Sequence, residues 1–110
     1  MNWIPLTEIK QLDEIIASSY DRPAAIFKHS TRCSVSMMAK KSLEQSWHTE
    51  EQDIPVYYLD LLNYRAISNR IAEILGVYHQ SPQLILIQNG KATYHASHSE
   101  IDFEEMVEKV

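Results

Sequence analysis

The sequence has one cysteine, two glycines and four prolines among 110 residues. A single cysteine excludes an internal disulfide, and with it the disulfide-stapled secreted folds. The scarcity of glycine and proline excludes collagen-like and low-complexity character. No apolar run approaches the length needed to cross a bilayer. The start, Met1-Asn2-Trp3-Ile4-Pro5, lacks the basic and apolar regions of a signal peptide. Excess positive charge is missing too. The formal net charge is −5 and the ten basic residues are scattered, which argues against a nucleic-acid partner. No Cys-x-x-Cys or His-x-x-x-His spacing occurs, so His48, His79, His95 and His98 do not suggest a zinc site. The expectation is a cytoplasmic, monomer-capable protein, with dimerisation open, that uses no membrane.

What is present is a soluble globular composition, 45% hydrophobic and 23% charged. The length suits one domain over residues 1–110. Trp3 to Leu6 reads as an edge strand, since Pro5 is tolerated at an edge. Thr7 is positioned to cap a helix whose stripe is Ile9, Leu12, Ile15 and Ile16. Pro23 ends it. Ala24 to His29 then reads as a buried strand. A helix follows from Cys33 to about Trp47, with Val35, Met38, Ala39, Ser42 and Leu43 at helical spacing and Lys40, Lys41, Glu44 and Gln45 on the wet face. Residues 48–53 read as a polar loop.

Pro55 to Leu61 is a second clear strand, rich in β-formers. Asn63 is a plausible cap for a third helix bearing Tyr64, Ile67, Ile71, Ile74 and Leu75, closed by Gly76. Gln83 to Gln88, an Asn89-Gly90 turn and Lys91 to Ala96 form a hairpin. Ser99 and Asp102 read as a capping box for a last helix with Phe103, Met106, Val107 and Val110 on its buried face. The class is α/β: a mixed sheet of four to five strands with helices on both faces. The crossovers predict parallel neighbours, and the hairpin adds one antiparallel strand.

Cys33 is the residue this arrangement singles out. A lone cysteine is by default a small buried hydrophobe. Here it stands between a buried strand and the start of a helix, where the dipole and free N–H groups favour a thiolate. Sites in open sheets of this type lie beyond the carboxyl ends of strands.

Taken together, the strand before Cys33, the helix after it, Gly76, the Ser81-Pro82-Gln83-Leu84-Ile85-Leu86 segment and Asn89-Gly90-Lys91 resemble the thioredoxin fold from about Leu6 to Val110. His29-Ser30-Thr31-Arg32-Cys33-Ser34-Val35-Ser36 resembles the monothiol bacilliredoxins, the YtxJ-like proteins of the bacillithiol system. Relatives often carry Pro where this chain has Ser34. The resemblance implies a cis bond before Pro82 and a Ser81 backbone free to pair with a bound peptide or thiol. It implies that the Cys33 thiolate attacks the bacillithiol sulfur of a mixed disulfide and frees the client cysteine. No bound cofactor is then needed. A low-molecular-weight thiol such as bacillithiol is the co-substrate, and S-thiolated proteins are the partners.

Ser36 occupies the place of the second cysteine in dithiol relatives, so any oxidised Cys33 must be rescued by an external thiol. Its hydroxyl could donate to the thiolate, or simply face solvent. Arg32 could stabilise the thiolate or receive an anionic ligand. Thr31, Ser34, Ser81 and Pro82 would line the substrate groove. His29 reads first as a structural residue ending a strand. Phe27 replaces the buried acid of many thioredoxins, Lys28 is expected at an exposed or snorkelling position, and Asp60 is the structural acid ending a strand. Tyr78 would rim the groove. A monothiol iron–sulfur glutaredoxin would need the Gly after Cys, which is missing. A one-cysteine peroxidase has no peroxide-activating pair beyond Thr31 and Arg32. The remaining alternative is a redox-inactive module that binds a partner through the same groove.

Overall fold

The computed structural model describes residues 2–47 and 54–110. The polar loop expected at 48–53, including His48, lies outside them. The elements run β1 (Trp3–Pro5), α1 (Ile9–Ser18), β2 (Ala24–His29), α2 (Ser34–Ser46), β3 (Val56–Asp60), α3 (Arg65–Leu75), β4 (Gln83–Gln88), β5 (Lys91–Ser97), a 3-10 turn (His98–Glu100) and α4 (Phe103–Glu108). The five strands form one sheet in the order β1-β3-β2-β4-β5. β1 is an edge strand, as its proline suggests.

Alternation along β2 divides the core. Ala25 and Phe27 pack with Leu43 of α2 and with Phe103 and Met106 of α4. Ala24 and Ile26 pack with Leu12 and Ile15 of α1 and with Ile67 and Ile71 of α3. Because both faces of β2 are covered, all six of its residues are buried.

The direction of β4 differs from the crossover expectation. β1 and β2 run parallel to β3, but β4 is antiparallel to β2, with Lys28 opposite Gln83. Gly76 ends α3 with φ +66°, and residues 77–82 carry the chain back to the end of the sheet that β2 has just left. Pro82 is thereby brought level with the loop that carries Cys33.

Three expected caps also differ. Glu8, not Thr7, is the N-cap of α1, and the Thr7 N–H donates to Gln11 Oε1 instead. Tyr64 holds the cap position of α3, because the Asn63 amide donates to Asp60 Oδ2 at 2.7 Å. Ser99 lies in the 3-10 turn, and Asp102 itself caps α4 by accepting the N–H groups of Glu104 and Glu105. The apolar stripes are narrower than their periodicity implies. Ile9, Ile74 and Val110 are exposed, as are Val35 and Met38 of α2. The hairpin has positive φ at Asn89 and Gly90 as expected. Its tip is tied to the end of α1: the Asn89 N–H donates to Ser19 O and the Gly90 N–H to Ser19 Oγ, each at 2.9 Å.

Candidate functional site

β2 delivers His29 to the edge of the core, and Ser30 to Arg32 turn the chain out of the sheet. The Cys33 N–H closes this turn on Ser30 O at 3.2 Å, and Cys33 O accepts the Met37 N–H at 3.0 Å. Cys33 is therefore the N-cap residue of α2, with extended backbone at φ −109° and ψ 121°. Its thiol is unbridged and the residue is half-buried. The opening N–H groups of a helix have no intrahelical acceptor. The first turn of α2 contains no acidic side chain to neutralise their partial positive charge.

Ser36 is fully buried and does not face solvent. Its oxygen accepts the Ser30 N–H at 3.0 Å and lies 2.6 Å from Nδ1 of His29. The serine thus pins the cysteine loop to the end of β2. His29 is buried between the rings of Phe27 and Tyr58, with centroids 5.8 and 5.4 Å away. Burial holds its pKa below the usual histidine value, helped by the positive charge of Lys40; Asp60, Ser36 and Glu44 oppose the shift.

Thr31, Arg32 and Ser34 are exposed on the loop and the helix start. Arg32 has no carboxylate partner among the described residues. The Ser81–Pro82 peptide is cis. Pro82 is buried and Ser81 is half-buried. The Ser81 backbone is unbonded to any described residue, whereas Pro82 O accepts the His98 N–H at 3.1 Å. The Ser81 hydroxyl oxygen is buried without a hydrogen bond. Tyr78 nearby is largely exposed. Asp60 ends β3 by accepting from the Leu62 N–H and the Asn63 amide.

Lys28 corrects the expectation of an exposed lysine. It is fully buried on the α3 side of the sheet. Its ammonium donates to Ser68 O and contacts His79 Nδ1, each at 3.2 Å. Desolvation lowers its pKa to about 8. No motif announces this cluster, because its members are scattered along the chain. The His29–Ser36 contact was equally hidden.

Two clefts flank α2. One, of about 300 Å³, is lined by Val35, Met38, Ala39, Ser42, His98, Ser99 and Ile101. The other, of about 520 Å³, is lined by His29, Thr31, Met37, Lys40, Lys41, Glu44 and Tyr58. Among the described residues, no group of three or more His, Cys, Asp and Glu side chains could hold a metal ion. No helix there is long and apolar enough to cross a membrane.

Residues 4–106 match the family described as monothiol bacilliredoxin BrxC. The chain belongs to that family. Among solved structures it is similar to a proposed oxidoreductase with a thioredoxin fold, at 27% identity and a TM-score of 0.82, over 97% of this chain and 92% of that one. It also shares its fold with a thioredoxin from Schistosoma mansoni (16% identity, TM-score 0.73, 99% of this chain and 98% of that one). A thioredoxin variant from Halobacterium salinarum aligns at 17% identity and a TM-score of 0.70, over 97% and 86% of the two chains. The bacilliredoxin family and the thioredoxin fold together make this a thiol oxidoreductase. The correspondence anticipated around Cys33 thus holds over nearly the whole chain.

Proposed function

We propose that this bacilliredoxin removes a low-molecular-weight thiol, bacillithiol or a close analogue, from S-thiolated protein cysteines. The observation that carries the reading is the placement of Cys33. It is an unbridged, half-buried cysteine at the N-terminus of α2, on the end of the sheet where the cis Ser81–Pro82 segment lies.

The Cys33 thiolate attacks the outer sulfur of the client's mixed disulfide. A bond forms between Cys33 Sγ and that sulfur, the old disulfide breaks, and the client cysteine leaves as a thiolate that takes up a proton. A second molecule of the small thiol then attacks its twin on Cys33, yielding the symmetrical disulfide and regenerating the Cys33 thiolate. The chain has no second cysteine, so this external thiol is obligatory.

Ser36 acts by fixing the loop through Ser30 and His29. Arg32 and Thr31 face the incoming group, and Ser34 contributes to the rim. The unbonded Ser81 backbone beside Pro82 pairs with the client chain, as an extended segment adds to a free edge. The reaction suits a reducing cytoplasm and a monomer, with no bound cofactor, nucleic acid or membrane.

The test is transfer of bacillithiol from an S-bacillithiolated reporter protein, followed by intact-mass spectrometry. Wild-type protein is expected to release the reporter thiol and carry the added mass on Cys33, and Cys33→Ser to do neither. Release at the same rate by both proteins would overturn the reading.

A further inference from the structure

We propose that the cleft between α2 and the β2–β3 end of the sheet binds the carboxylate-bearing portion of the small thiol, with Lys41 as its principal cation. This rests on the exchange reading above, and it assigns a chemical class and a place to the non-sulfur part of the co-substrate.

Geometry comes first. Thr31, two residues before Cys33, lines the cleft, and so does Met37, whose N–H bonds to Cys33 O. A ligand whose sulfur reaches Cys33 therefore has this space directly beside it. At about 520 Å³ the cleft falls within the roughly 300–1,000 Å³ typical of small-molecule sites. Met37 and Tyr58 supply apolar wall, and the Thr31 hydroxyl supplies a donor.

Charge selects the ligand. The Lys40 ammonium is compensated: it pairs with Glu44 at 3.0 Å and lies over the rings of Trp3 and Tyr58 at 5.5 and 5.8 Å. Glu44 is occupied in turn, accepting from Trp3 Nε1 at 2.8 Å as well. Lys41, on the same cleft, has no hydrogen bond or ion pair with any described residue. Neither has Arg32 on the adjoining loop. Arg32 thus stands next to the nucleophile in the chain and Lys41 about 12 Å farther along α2, both unpaired, on a chain whose formal net charge is −5. A cleft concentrates such a field. An anionic small molecule fits this excess.

The test uses two mixed disulfides of one reporter protein, made with ω-mercaptohexanoate and with its primary amide. The pair differs in charge and little else. Wild-type protein is expected to react faster with the acid by roughly two- to fivefold, the size of one partly screened ion pair. In Lys41→Glu the acid-to-amide ratio should fall to one or below. General damage to the fold would lower both rates and leave the ratio alone. Equal rates in wild type, or an unchanged ratio in Lys41→Glu, overturn the inference. A second readout needs no exchange at all. Adipate titrated into Cys33→Ser should saturably shift the backbone amide resonances of Thr31, Met37 and Lys41, and Lys41→Glu should abolish the shifts. Their absence from Cys33→Ser also overturns the inference. Their presence alongside inactive wild-type protein would keep the cleft and sink the exchange reading instead.

Discussion

The Ser36 hydroxyl oxygen lies 2.6 Å from His29 Nδ1 while it accepts the backbone N–H of Ser30. One buried oxygen therefore joins the end of β2, the turn and the third position of the helix that Cys33 caps. Ser36→Ala leaves both nitrogens inside the protein without that partner. The expected cost is about 1–3 kcal/mol, read as a lower midpoint in urea unfolding. Exchange by Cys33 should slow as well, because the loop loses its anchor. Ser36→Thr keeps the hydroxyl and should recover part of the activity if its added methyl is accommodated.

Lys28 makes stability depend on pH in the alkaline range. Its folded pKa of about 8 lies below its ordinary value of 10.5. Between those values the unfolded chain holds a proton that the folded chain has released, so stability rises with pH across that window. The burial penalty on the charged form is complete below about pH 8. Relative to Lys28→Met, the wild-type protein should gain about 3 kcal/mol as pH rises from about 8 to about 10.5. Parallel urea titrations of the two proteins check this. Curves that keep a constant separation would show that Lys28 retains its proton throughout.

Below neutrality the two shifted histidines come into play. His29 and His79 both have pKa values below 6.5, each chiefly through burial. The unfolded chain protonates first as pH falls, so stability is lost from about pH 6.5 downward, toward the folded values. His79→Gln and His29→Gln should each flatten that loss. Thermal unfolding followed between about pH 7 and pH 5 measures it.

The hairpin tip gives a separate test. Gly90 has φ +75°, and a Cβ there would run into the Tyr20 hydroxyl. Gly90→Ala should cost about 1–2 kcal/mol through backbone strain alone. Tyr20→Ala in the same chain should remove the collision and leave that strain. A double mutant as unstable as Gly90→Ala would assign the whole cost to the backbone.

Much of this architecture is legible in the sequence, because its signals are local. Gly76, Asn89-Gly90 and the β-branched runs mark the ends and cores of elements within a few residues of themselves. Cys33 is legible for the same reason, since strand, turn and helix start are contiguous. The burial of Lys28 is not, because its partners Ser68 and His79 lie 40 and 51 residues away. Nor is the direction of β4, which depends on how residues 77–82 travel and not on their composition. Helical periodicity placed Val35 and Met38 on one stripe, but it cannot say whether another element covers that stripe. At the caps, Ser99 lost to Asp102, which accepts the Glu104 and Glu105 N–H groups, and the Asn63 amide is taken up by Asp60 instead.

The reversal of β4 also bears on how the protein is made. Cys33 and its helix are synthesised before the chain has reached Pro82. A chain halted at Gly76 would carry the thiol but neither the Ser81–Pro82 wall nor the two strands that complete the sheet. Its half of the core would also remain uncovered. Under the proposed exchange reading, a product truncated there would present a cysteine without the segment that helps it choose its partner.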